Sequence, residues 1–192
     1  MAKESTFKNM TLTLLTVTLL ASASLGFVYS FTKGPIEDAQ NAKINNAISL
    51  VLPEFDNRPS ADKFTREVDG GLLTFYPASM GDDAVGMAIQ TFTKNGFSGQ
   101  IDLMVGILAD GTIHAIEVIA HKETPGLGDK MESGKSDFSV QFQGKHPDEF
   151  KLAVTKDGGN VDAITASTIS SRAYCEAVQR AYDAFVKEGG AK

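Results

Sequence analysis

The stretch Gln100–Ala120, "QIDLMVGILADGTIHAIEVIA", decides the fold class. Ile101, Leu103, Val105 and Ile107 alternate with other residues, as on a strand that offers one face to a core. A second β-rich run, "TIHAIEVIA", follows, and Asp110-Gly111 between the two is a hairpin signal. Two antiparallel neighbours are therefore expected. Upstream, "LLTFY" and "AVGMAIQTF" continue the pattern, so an antiparallel sheet is predicted across Gly71 to Ala120.

Helical patterns flank these runs. Near the carboxyl end, Ile169, Ala173, Ala177, Ala181, Ala184 and Phe185 recur at helical spacing on one predicted face, and Gly189-Gly190 closes the helix. On the amino side, Pro35 is suited to start a helix. Ile36, Ala39, Ile44, Ala47, Ile48, Val51 and Leu52 follow at three- and four-residue spacings until Pro53. Between sheet and last helix, "SDFSVQF" is expected to form a short helix and "FKLAV" a further strand. The class is α+β.

Farther out, Asn9–Thr32 carries no charge and is long enough as a helix to cross a hydrocarbon core of roughly 30 Å. Lys3 and Lys8 precede it, which places the amino terminus in the cytoplasm and the rest of the chain outside. Ala21-Ser22-Ala23 has the form of a signal-peptidase site, but the apolar run continues past it through Phe31. The expected organisation is a cytoplasmic tip and transmembrane anchor over 1–33 and one exported domain over 34–192.

Composition narrows the function. The chain has 192 residues and a net charge of −6, with no basic cluster, so a nucleic-acid partner is not expected. With one cysteine, Cys175, there is no CxxC pair and no cysteine-held iron–sulfur centre, so any redox chemistry falls to an organic cofactor. His114, His121 and His146 are too dispersed to suggest a zinc site.

Two motifs carry chemistry. "HKETPGLGDK", His121 to Lys130, follows a predicted strand, and its glycines suit close approach of a flat ligand, although a Pro-Gly pair is also ordinary turn chemistry. "VDAITASTISSRAY", Val161 to Tyr174, crowds hydroxyls onto the start of the last helix. One would serve as an N-cap. The surplus suggests phosphate, which the free N–H groups and the helix dipole favour at this position.

These two stretches, with "GFSGQIDLMVGILADGTIHAIEVIA" and "KDGGN", resemble the FMN-binding domain family. The likeness is strongest to members serving as the G subunit of Rnf complexes, the membrane-bound ion-translocating ferredoxin:NAD oxidoreductases. In that family FMN is joined through its phosphate to the threonine of an S-G-A-T-x-[ST]-S type motif. The matching segment here is Thr165-Ala166-Ser167-Thr168-Ile169-Ser170-Ser171, which makes Thr168 the attachment residue and departs from the motif at its first three positions.

The resemblance implies an electron-carrying subunit with no turnover of its own, lying on the outer face of the cytoplasmic membrane. It also implies a flavin transferase for maturation and other membrane and peripheral subunits as partners. The cofactor-binding set it implies is Thr168 with Glu123, Thr124, Gly126, Leu127, Gly128, Lys156, Asp162, Thr165, Ser167 and Ser170. Two alternatives are the C subunit of sodium-translocating NADH:quinone oxidoreductases and a membrane-tethered flavin-binding sensory domain.

Overall fold

A computed structural model of the chain describes residues 6–68 and 70–190. They divide into two compact units, the first ending at Ala42 and the second beginning at Lys43.

The first unit is helical and belongs to α1, which runs Phe7–Val51. Its apolar window is long and hydrophobic enough to cross a membrane and buries nothing against the protein. The threonines that dilute this window turn their hydroxyls inward: Thr11, Thr13, Thr16, Thr18 and Thr32 each donate to the carbonyl four residues back. A hydroxyl satisfied in this way is tolerated in hydrocarbon, where an unpaired one costs several kcal/mol.

Pro35 does not start a helix; it lies inside α1. Its fixed φ is compatible with a helix that is already formed, at the cost of the bond its missing N–H would have made and of crowding between its ring and the carbonyl four residues back. Extending an existing helix is also easier than nucleating a second one.

The second unit is a five-stranded antiparallel sheet in sequential order: β1 Phe64–Val68, β2 Gly71–Met80, β3 Asp83–Gly96, β4 Gly99–Leu108 and β5 Ile113–Ala120. The Asp110-Gly111 signal becomes the β4–β5 turn, with the Leu108 N–H donating to Thr112 O and Gly111 at φ 89°. The helix α2, Thr168–Lys187, packs on one sheet face. Leu73, Phe75, Ile89, Leu103, Val105 and Ile107 meet Ala173, Tyr174, Ala177, Val178, Ala181 and Phe185 there.

On the opposite face, Ala47, Ile48 and Val51 at the end of α1, with Leu52 just after it, pack on Tyr76, Ala78, Ala88, Met104 and Ile119. Gly106 permits this approach, because a Cβ there would lie 1.7 Å from the Val51 carbonyl oxygen. Of the helical stripe read from Ile36 to Leu52, only the part from Ile44 onward is packed, and Ile36 is exposed.

Three further expectations change in detail. "FKLAV" forms no strand; Val154 makes a single bridge to Val161, and the backbone then tightens into a 3-10 turn at Thr155–Asp157. "SDFSVQF" yields one 3-10 turn, Ser139–Phe142, which places Phe138 and Phe142 edge-on to each other beneath Tyr174. Ile169 does not join the buried stripe of α2 but is about half exposed.

Candidate functional site

The turn Ile164–Ser167 delivers the chain into α2. It is closed by the Ser167 N–H donating to Ile164 O at 3.0 Å, with Ala166 in its third position at φ 62°. That left-handed position ordinarily selects glycine. Ser167 then sits at the N-cap, yet its side chain makes no capping bond. The Ser167 carbonyl instead accepts both the N–H and the Oγ–H of Ser171, each at 3.0 Å. Among the described residues, the amides of Thr168, Ile169 and Ser170 have no protein acceptor, and they lie at the positive end of a 20-residue helix.

The hydroxyls of this motif have separate fates. Ser171 Oγ is fully buried and accepts the Ile164 N–H at 3.0 Å. Ser170 Oγ, also buried, donates to Glu123 Oε2 at 2.6 Å. Thr165 is exposed, and Thr168 is half-buried with no hydrogen bond to its hydroxyl among the described residues. Of the five hydroxyls, Ser171 and Ser170 hold the turn and the loop in place, whereas those of Thr165, Ser167 and Thr168 make no hydrogen bond among the described residues; Ser167 is buried, Thr165 is exposed and Thr168 is half-buried.

Glu123, from the loop after β5, ties three segments together. The residue is 5% exposed, and its carboxylate accepts the Ser98 N–H at 2.9 Å through Oε1 and the Ser170 hydroxyl through Oε2. Two glycines make room for it: a Cβ on Gly96 would come within 2.8 Å of Oε1, and one on Gly128 within 2.6 Å of Oε2. The Glu123 N–H donates to His121 Nδ1, which leaves the imidazole proton on Nε2, 2.6 Å from Glu132 Oε1. That bond and Lys135 hold the Glu132 carboxyl below its ordinary range, and Lys135 does the same for Asp129.

Phe97, Glu123, Thr124, Leu127, Gly128 and the segment 166–170 enclose a cavity of about 310 Å³. Of the sequence-derived set, the structure brings Glu123, Thr124, Leu127, Gly128, Ser167, Thr168 and Ser170 to it. Four members lie outside. Gly126 is in the turn below, with open space where a Cβ would be and φ 78°, so its role is conformational and not clearance. Thr165 is exposed in the preceding turn, and Lys156 is exposed on the 3-10 turn Thr155–Asp157. Asp162 is exposed, its backbone paired with the Gln141 side chain. Gly128 gives clearance, but to Glu123 and Ser170.

Phe97, Ala166 and Ile169 are lining residues that sequence reading did not select. Phe97 at the β3–β4 tip is 68% exposed, Leu127 41% and Ile169 49%, so the rim is apolar. Among the described residues, no Lys or Arg lines the cavity. An anion in it would therefore be met by the free helix amides.

The FMN-binding domain family matches residues 96–183, which span both walls of this cavity. The G subunit of an ion-translocating oxidoreductase complex from Pseudomonas aeruginosa is 34% identical over 181 residues, covering 85% of this chain and 81% of that protein. The corresponding G subunit from Vibrio cholerae is 33% identical over 183 residues, covering 88% and 87%. The chain belongs to the family of G subunits of ion-translocating oxidoreductase complexes. A further G subunit, from Cereibacter sphaeroides, is 34% identical over 173 residues, 87% of this chain and 78% of that protein. Among the described residues, no group of His, Cys, Asp and Glu is arranged to hold a metal ion.

Proposed function

We propose that this chain is the electron-carrying G subunit of an Rnf-type ion-translocating oxidoreductase complex, with FMN held covalently by a phosphoester to Thr168. The observation that carries the reading is the pairing of an open Thr168 hydroxyl with three free amides at the start of α2, on the wall of a cavity inside the matched FMN-binding region. The residues fit the group. The amides suit the phosphate, and the apolar rim of Phe97, Leu127 and Ile169 suits a flat aromatic ring.

In the attachment step, Thr168 Oγ forms a bond to the FMN phosphorus of FAD. The bond from that phosphorus to AMP breaks, and the hydroxyl proton leaves with AMP. A flavin transferase provides this step, and small neighbours at Ala166 and Ser167 leave Thr168 accessible to it. Ser170 is an unsuitable acceptor because its hydroxyl is buried and committed to Glu123.

Bound FMN supplies one- and two-electron redox chemistry through its ring. The protein's part is to fix the ring and to present it to redox neighbours. It has no turnover apart from the other subunits of the complex. The anchor over 1–33 is retained, the amino terminus is cytoplasmic, and the domain over 34–192 faces outward from the cytoplasmic membrane.

The test is in-gel fluorescence after denaturation of protein made beside its flavin transferase. Wild type is expected to fluoresce and Thr168→Ala to be dark. A fluorescent Thr168→Ala band would overturn the attachment site.

A further inference from the structure

The tip of the β3–β4 hairpin holds a residue that its local structure does not require. Gly96 and Gly99 pair across the hairpin, leaving Phe97 and Ser98 as a two-residue loop. Such loops favour Asn, Asp or Gly. A phenylalanine there that is mostly in water adds nothing to the core, and an exposed aromatic held at a cavity mouth asks for an occupant.

The loop is also held firmly. The Ser98 N–H, next in sequence to Phe97, donates to the buried Glu123 carboxylate, and the same carboxylate holds Ser170, two residues from Thr168. Gly96 packs directly against that carboxylate. Phe97 is therefore indexed to the start of α2 through one side chain. Leu127 and Ile169, from two other segments, complete an apolar rim on the same opening.

We infer that Phe97 is a ring-shielding residue: its side chain packs against the isoalloxazine ring of FMN seated in this cavity and screens one ring face from water. The inference rests on the reading that Thr168 carries FMN. The cavity is at the small end of ligand pockets, which run from about 300 Å³ upward, so it does not enclose the whole group and its mouth must manage the exposed part. A hairpin-tip aromatic does this without closing the site to an electron-transfer neighbour.

The experiment uses the full chain made with its flavin transferase, its FMN content fixed by intact mass, and iodide as a collisional quencher of flavin fluorescence. Phe97→Ala uncovers one of two ring faces, so the quenching slope is expected to rise about twofold at unchanged FMN content. Phe97→Leu keeps apolar bulk and should fall between the two. Leu72→Ala, which removes an equally exposed apolar side chain on β2 away from the cavity, should match wild type.

An unchanged slope in fully loaded Phe97→Ala overturns the inference and leaves the proposed function standing. Loss of covalent FMN from Phe97→Ala also overturns it, making Phe97 a determinant of modification. A wild-type protein without FMN by mass removes both readings together.

Discussion

Ala166 holds a backbone conformation that an L-residue adopts at a cost of roughly 1–2 kcal/mol, at the third position of the turn that leads into α2. Glycine is the residue such a turn ordinarily takes. Ala166→Gly is therefore expected to stabilise the protein by about 0.5–1 kcal/mol after the entropy of the unfolded glycine is subtracted. A urea midpoint that rises at unchanged slope would show it; a midpoint that falls would mean that the turn tolerates the methyl. At this scale the sequence exposed the crowd of hydroxyls but not their division of labour. Ser170 and Glu123 are 47 residues apart in the chain, and nothing local announces that one holds the other. Phe97 was hidden for the opposite reason, since a lone aromatic in a β-rich stretch reads as core.

Among the elements, β2 to β5 were legible as short β-rich runs, and in β4 Ile101, Leu103, Val105 and Ile107 recur at every second position on one buried face. Phe64–Val68 was not, because the middle residues of β1 are exposed and its pairing is set by the hairpin with β2, through Gly70 at φ 73°. Pro35 misled in the other direction, as a start signal is only informative where no helix already arrives. Two predictions belong here. Gly106→Val would drive a side chain into the Val51 carbonyl, where even a Cβ has 1.7 Å, and is expected to destabilise by about 3 kcal/mol or more in denaturant unfolding.

The second concerns Cys175 on α2, whose thiol is pushed up to about 12 by burial. The folded state thus binds this proton more tightly than the unfolded chain. The associated stability is fully present below the unfolded thiol range of about 8.5 and is lost as pH rises from there toward 12. A disulfide-exchange reagent at pH 8 should leave the native thiol unmodified and titrate it fully in denaturant. Rapid native labelling would place Cys175 at an accessible surface.

At the scale of the whole molecule, the chain comprises a helix long and apolar enough to cross a membrane and a domain whose cavity is built from a hairpin tip, a post-strand loop and a helix start. The fold class was readable from patterning, and the function from two short motifs. The cavity itself was not, because it exists only where three distant segments meet at Glu123. Protease added to right-side-out vesicles should digest the domain, and a protected domain would reverse the proposed orientation.

The central claim, that Thr168 carries the cofactor, is met most directly by intact mass spectrometry of wild type, Thr165→Ala and Thr168→Ala, each made with the flavin transferase. Wild type should exceed its polypeptide mass by one FMN less one water, Thr165→Ala should retain much of that increment, and Thr168→Ala should show none while remaining folded, because the half-buried Thr168 hydroxyl makes no hydrogen bond among the described residues and Ser167, not Thr168, stands at the N-cap. A Thr168→Ala protein that still carries the FMN increment would contradict the account.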